Sequence, residues 1–300
     1  MTTTLTPALN LDLLAAAPSI GEQNAAATTH TMIRTFIENE STLSKYSIET
    51  QLHGSYKNST NVRRESDVDI GAMSEQIFLY DISGLPADQV ARFHETTSAG
   101  SFTFQEYRND VLASLRRKYG SEVIDGNKAI TISGNTYRLS ADILPCVEFH
   151  HYWDYMRSSG NYAKGIAFLT KDGKRVVNFP QQHFENMTTK NTATNEYFKG
   201  CVRIMKRIRN DLICDRVISE KHSPSCYIES LLWNAPNVLF SGGYSAAMRG
   251  VLAHLYKTLD DGSATSYVQA NRVYVLFHSE FWSMGQAKEL ILYVWSRIFP

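Results

Sequence analysis

No charge of either sign predominates in this sequence: across 300 residues, 30 Lys and Arg offset 30 Asp and Glu. Proteins that coat long nucleic acid draw their affinity from excess basic residues. That role is therefore excluded as the main one, while a local basic pocket for a small anion is not. Cysteine is scarce as well. Cys146, Cys201, Cys214 and Cys226 form no C-x-x-C pair and no zinc-like Cys/His spacing, which leaves reduced and mostly buried thiols. No apolar run approaches the ~18 uninterrupted residues of a membrane span. The apolar stretch at 11–17 is too short for one and lacks the basic flank of a signal peptide. A cytoplasmic protein without membrane attachment is expected. Repeats are absent, and only the Ala/Thr-rich opening is of low complexity. With 43% hydrophobic and 20% charged residues, the chain suffices for one large domain or two packed lobes.

Periodicity divides what is there. Ile33, Phe36 and Ile37 have helical spacing and predict a helix over residues 28–44. Residues 46–52 alternate like a strand up to Gly54, a polar loop fills 56–66, and Val68-Asp69-Ile70 reads as a short strand. After a linker with Gly84 and Pro86, residues 104–119 read as a helix with Val111, Leu112 and Leu115 on one side. A hairpin follows, 128–132 returning through Gly134-Asn135 as 137–144, and then a strand at 175–179. Beyond Pro180 the pattern is helical, most clearly over 196–213. The expected class is α+β: a mixed-sheet lobe over 1–180, with its N-terminal helix bridging both lobes, and a helical lobe over 181–300.

Chemistry concentrates in Gly54-Ser55, followed after a fixed interval by Asp67-Val68-Asp69. Glycine lets the backbone approach a phosphate, and the serine beside it offers a hydroxyl and an N–H. Asp67 and Asp69, two apart on a strand, point to one face. Carboxylates so placed repel each other unless cations lie between them, and Mg²⁺ suits carboxylates plus phosphate oxygens. Asp142 is the candidate third ligand because it lies in the apolar run Ala141-Asp142-Ile143-Leu144, with Glu148 as the fallback. On the 196–213 helix, Lys199, Arg203 and Lys206 form a basic stripe beside an apolar face. That stripe reads either as a solvated face or, since the helix has few acids, as a clamp for a triphosphate. Ser225 is a helix cap or a phosphate contact, and Tyr227 a core residue or a base-stacking one. His150-His151 are adjacent on a strand and face opposite ways, which argues against joint ligation. Gly242-Gly243 lacks a phosphate-loop pattern and reads as a plain loop.

The Gly54-Ser55 and Asp67-Val68-Asp69 motif with a later Asp142 resembles the polymerase-β-like nucleotidyltransferase superfamily. The segments GSYKNSTNVRRESDVDI, ADILPCVEF, FKGCVRIMKRIRND and PSCYIESLLWNAP narrow the resemblance to the bacterial cGAS/DncV-like nucleotidyltransferases, kin of the 2′-5′ oligoadenylate synthases. The resemblance implies a catalytic palm, a helical second lobe and an active site in the cleft. It implies Mg²⁺ (or Mn²⁺) held by Asp67, Asp69 and Asp142. By position, Ser55, Lys206 and Ser225 would contact the donor triphosphate, with Cys226 or Tyr227 near the base; Gly54, Lys199 and Arg203 complete the expected nucleotide contacts. The implied reaction joins nucleoside triphosphates (ATP, GTP or pyrimidine triphosphates) into a cyclic di- or trinucleotide that signals phage infection to a separate effector. Without a zinc-spaced Cys/His cluster or a basic excess, no requirement for double-stranded DNA is expected. The protein is expected to be a monomer. The competing readings are a nucleotidyltransferase that makes linear oligonucleotides or modifies RNA or protein, and a silent nucleotide-binding module.

Overall fold

A computed structural model describes residues 9–62, 67–156, 160–277 and 282–300. The Thr-rich opening at 1–7 and the end of the expected polar loop, 63–66, lie outside the described residues. A short α1 (Leu11–Ala15) precedes α2 (Ile20–Asn39). α2 opens on a capping box: Ser19 Oγ accepts from the Glu22 N–H, and the Glu22 carboxylate accepts from the Ser19 N–H. That box starts the helix well before residue 28, where its apolar periodicity begins. A 3₁₀ turn then carries Tyr46 and Ser47 out of the expected strand, leaving β1 as Ile48–Leu52. α3 (Gly54–Asn58) replaces the start of the expected loop, and β2 runs from Val68 to Asp81, far beyond Ile70.

The linker contains α4 (Ala87–Thr96), which the sequence reading missed, and α5 (Phe104–Tyr119) follows as expected. The expected hairpin is real but wider than the Gly-Asn signal implied. β3 (Val123–Asp125) pairs with β4 (Ile130–Ile132), and β4 meets β5 (Ala141–Asp154) from Ile132 opposite Ala141 to Ile130 opposite Ile143. β6 (Asn161–Leu169) and β7 (Arg175–Asn178) complete a seven-stranded mixed sheet of order β1-β2-β5-β4-β3, with β6 pairing the far half of β5. Among the described residues only the β2–β5 pairing is parallel. Its core is one-sided near the motif. Val68, Ile70 and Ile143 are buried with Ile33 and Ile37 of α2 and Tyr107, Val111 and Leu115 of α5. The positions alternating with them, Asp69 and Asp142, therefore point to the other face.

Helices follow: α6 (Pro180–Ala193), α7 (Tyr197–Cys214), α8 (Ser225–Trp233), α9 (Tyr244–Asp260) and α10 (Met284–Ile298). Their core gathers Phe198, Val202, Met205, Ile228, Leu231, Leu252 and Leu290. By its internal contacts the chain divides into a sheet unit, 19–56 and 66–181, and a helical unit, 1–18, 57–65 and 182–300. The first 18 residues and the segment 57–65 thus belong with the helices rather than with a 1–180 lobe, and the expected bridging helix is two helices, one in each unit. The reason is visible on α7. Arg203 Nε donates to Ala15 O (2.6 Å) and Arg207 donates to Leu14 O, while Leu11 and Ala15 enter the helical core. Among the described residues no helix is long and apolar enough to cross a membrane.

One buried charge in the helical unit is open to test. The Lys190 ammonium donates to Ala235 O (2.7 Å) and Asn237 Oδ1 (2.8 Å) beside the Phe198, Trp233 and Phe240 rings. Burial lowers its pKa to about 8. From there to about 10.5, the ordinary lysine value, the unfolded chain holds a proton that the folded protein has released. Stability should therefore rise with pH across that window. Denaturant titrations of wild type and Lys190→Met should show the wild type gaining on the variant as pH rises; parallel curves would refute the assignment.

Candidate active site

The parallel register of β2 and β5 sets Asp69 directly opposite Asp142, with strands about 4.8 Å apart. Asp67 stands exposed two residues before Asp69, where Val68 N–H donates to Ser140 O (2.9 Å) to begin the pairing. Gly54 meets this pair from the end of β1. Its φ is +62°, and a Cβ added to it would lie 2.0 Å from Asp69 Oδ2, so the position is glycine on both counts. Ser55 follows in the first turn of α3.

Two neighbours were not legible in the sequence. His53 N–H donates to Asp69 O (2.8 Å), and its imidazole occupies the space where a Cβ on Gly71 would sit. Thr131 of β4 donates its hydroxyl to Asp142 Oδ1 at 2.6 Å, orienting that carboxylate. Only the strand register reveals either. Glu148, the fallback ligand, is engaged elsewhere, with His150 and Lys164 each 2.5 Å from a carboxylate oxygen. His151 turns instead to Asp81 (3.3 Å), so the two histidines do part company.

Among the described residues, no three His, Cys, Asp or Glu side chains stand together as a ready metal cage. Carboxylates brought side by side without a cation repel one another, so backbone alignment is the informative feature. Asp67, Asp69 and Asp142 supply only hard oxygen donors, and the missing Cβ at Gly54 keeps the space against Asp69 clear. This donor set fits Mg²⁺ or Mn²⁺.

The remaining expected residues lie in the helical unit, and the structure redistributes their roles. The basic stripe is not a solvated face, since Lys199 and Arg203 are 8% exposed and Lys206 is 0% exposed. The premise that α7 has too few acids to pair with fails, because the acid comes from α8. Lys206 Nζ lies 3.6 Å from Glu229 Oε1. Arg203 departs furthest from the expected phosphate clamp: it donates to the Ala15 and Ser59 carbonyls (2.6 and 2.7 Å) and braces the chain. Lys199 and Lys57 Nζ both lie over the Phe184 ring, at 5.9 and 5.4 Å. Ser225 opens α8 as its first residue, so the cap position falls to Pro224. Tyr227 is fully buried, its hydroxyl donating to Ser283 O (2.9 Å) and its ring against Trp282, which makes it a core residue and not a stacking platform. Cys226 beside it is exposed.

Glu229 is the group the sequence reading missed. Burial pushes its carboxyl pKa up, but the Lys206 ammonium, His183 and Thr60 outweigh this and hold it down at about 2. Thr60 donates to Oε1 at 2.5 Å and His183 Nε2 lies 2.8 Å from Oε2.

A mixed sheet that carries Gly-Ser at one strand end, Asp-x-Asp on the next strand and a third Asp in register defines the nucleotidyltransferase class. Residues 185–298 match the family model described as the cGAS/DncV-like nucleotidyltransferase C-terminal helical domain. The chain is 32% identical over 288 residues to the cyclic dipyrimidine nucleotide synthase CdnE of Cecembia lonarensis, covering 94% of each. It is 34% identical over 227 residues to a cyclic dipurine nucleotide synthase of Elizabethkingia meningoseptica, covering 75% of this chain and 76% of that one. The structure of the Rhodothermus marinus CdnE c-UMP-AMP synthase with Apcpp and Upnpp superposes with a TM-score of 0.83 at 29% identity, over 96% of this chain and 95% of that one. The chain belongs to the bacterial cGAS/DncV-like nucleotidyltransferases.

Gly54 is the sharpest test of the site's geometry. Gly54→Ala drives a methyl into the Asp69 carboxylate and strains a left-handed backbone. Nucleotide-dependent pyrophosphate release should fall by about 100-fold, the scale of a 1 Å misplacement at a reacting centre. Wild-type rates in a folded Gly54→Ala protein would remove Gly54 from the site.

Proposed function

We propose that this protein is a metal-dependent cyclic oligonucleotide synthase. It joins nucleoside triphosphates into a cyclic di- or trinucleotide and releases pyrophosphate. The observation that carries the reading is the in-register pairing of Asp69 with Asp142 beside Gly54, in a chain whose relatives along nearly its whole length are named as cyclic nucleotide synthases.

Asp67, Asp69 and Asp142 would hold Mg²⁺ or Mn²⁺. When bound, such ions lower the pKa of an acceptor hydroxyl and neutralise charge on the triphosphate and on departing pyrophosphate. The chain's own residues do the positioning, which is where phosphoryl transfer gains most from a protein. Gly54 admits the phosphate chain close to the backbone, and Ser55 presents a hydroxyl and an N–H to it. Thr131 and His53 fix Asp142 and the Asp69 backbone. A second transfer on the linear product closes the ring. The neutral charge balance supports activity without double-stranded DNA, and the product would be read by a separate effector in defence against phage.

Relatives of similar identity are named for pyrimidine, purine and mixed products, so the bases are to be read from the product itself. Incubation with each combination of the four nucleoside triphosphates and Mg²⁺ or Mn²⁺, then phosphatase and mass analysis, should yield a phosphatase-resistant cyclic product. The double variant Asp67→Asn/Asp69→Asn should make none while melting within a few degrees of the wild type. Only linear, phosphatase-sensitive products, or undiminished synthesis by the double variant, would overturn the reading.

A further inference from the structure

A cavity of about 560 Å³ lies wholly within the sheet unit, between the end of the 3₁₀ turn (Ser41–Tyr46), Phe102 and the first two turns of α5. That volume falls in the ~300–1,000 Å³ range of small-molecule sites. Tyr46 at its base belongs to the core on the helix-covered face of the sheet, with Val68, Ile70 and Tyr107. Asp69 and Asp142 point to the other face. The cavity is therefore separate from the candidate active site.

Its walls carry an excess of negative charge. Asp110 Oδ2 accepts from the Tyr46 hydroxyl (2.6 Å) and from the Lys45 ammonium (2.9 Å), and these partners hold its carboxyl below the usual carboxylate range. One turn earlier on α5, Glu106 closes the capping box: its Oε2 accepts from the Thr103 N–H (2.7 Å) and hydroxyl (2.9 Å). The backbone bond lowers the Glu106 pKa as well. Both acids are thus ionised at neutral pH. All these bonds use one oxygen of each carboxylate; Glu106 Oε1 and Asp110 Oδ1 accept none from the described residues. Two carboxylates are answered by one ammonium, and Lys45, with 63% of its side chain exposed, is a partner that another cation can replace. The Phe102 ring, edge-on to Tyr46 at 4.6 Å, supplies an apolar wall.

We propose that this cavity binds a small aliphatic polyamine. Residues four apart on a helix have Cβ atoms about 5–6 Å apart, so the Glu106 and Asp110 carboxylates match two ammonium groups joined by a short methylene stem. One ammonium bonds Glu106 Oε1, the other bonds Asp110 and displaces Lys45, and the stem lies on Phe102. A lysine side chain of another protein has a single ammonium and cannot satisfy both acids. A bare metal ion fits less well, because no three His, Cys, Asp or Glu side chains stand together among the described residues.

Isothermal titration of the full chain with putrescine, and with butylamine as a lysine side-chain analogue, tests this in nucleotide-free buffer. Putrescine should bind at one saturable site, severalfold tighter than butylamine, and more weakly as salt is raised. Glu106→Gln keeps the capping box, and Asp110→Asn still accepts from Tyr46. Each should weaken putrescine binding by about two- to fivefold, the scale of an exposed ion pair. Lys45→Met should tighten it, because a competing ammonium is removed; an anion site would respond in the opposite sense. Asp67→Asn/Asp69→Asn should bind as the wild type does. A thermal melt of each variant checks folding, and should Asp110→Asn not fold, Glu106→Gln and Lys45→Met decide the matter. Absence of saturable binding, or wild-type affinity in Glu106→Gln, overturns the proposal. So does weaker binding by Lys45→Met, equal affinity for butylamine, or loss of binding in Asp67→Asn/Asp69→Asn, which would lodge the dication at the aspartates.

Discussion

Parallel strands cannot be joined by a tight turn, so pairing β2 with β5 obliges the chain to leave β2 at Asp81 and come back to the opposite end, where Ala141 stands beside Val68. α4, α5 and the β3–β4 hairpin occupy that excursion, and α5 uses it to cover the sheet. Tyr107 donates from α5 to Ala72 O at 2.6 Å, and Val111 and Leu115 pack on the face that Val68, Ile70 and Ile143 present. Covering one face is what leaves the aspartates on the other. A slip of one residue in this pairing would turn Asp69 or Asp142 into the core, at the cost of burying a carboxylate among Ile33, Val111 and Ile143. The hydrophobic pattern that stabilises the sheet and the register that aligns the carboxylates are therefore one constraint.

This explains which parts of the site were legible from residues alone. Gly54 and Ser55 are neighbours in the chain, and Asp67 and Asp69, two apart, fall on one face by alternation without any knowledge of the fold. Asp142 was legible because a carboxylate in Ala141-Asp142-Ile143-Leu144 has no local reason to be there. Thr131 and His53 were not, since each acts on an aspartate only through strand pairing. The extents of β2 and α4 were hidden for a different reason. Beyond Ile70 the strand passes through small and polar residues, Gly71, Ser74, Glu75 and Gln76, and its pairing with β5 shifts register between Ser74 and Phe78. Irregular pairing leaves no clean period to read.

The basic stripe of α7 shows the limit more sharply. Periodicity placed Lys199, Arg203 and Lys206 beside the apolar face correctly, but periodicity cannot say what a charge meets. Three outcomes emerged from one stripe. Lys206 is buried against a carboxylate from α8, Arg203 is absorbed by backbone carbonyls of α1 and of the segment after α3, and Lys199 rests on an aromatic ring. Each partner lies far away in sequence, from Ala15 to Glu229. The same non-locality moved residues 1–18 and 57–65 into the helical unit, because the arginines that hold them are on α7.

A buried charge pair contributes little net stability, because desolvation offsets most of its attraction, yet losing one member leaves the other exposed to the full penalty. The helical unit accepts that asymmetry at Glu229, with Lys206 at 0% exposure, while the rest of its core is Phe198, Ile228, Leu231 and Leu252. An apolar core of that quality does not need an ion pair to hold together. What the pair supplies is a tie between α7, α8 and the segment at Thr60 through one carboxylate.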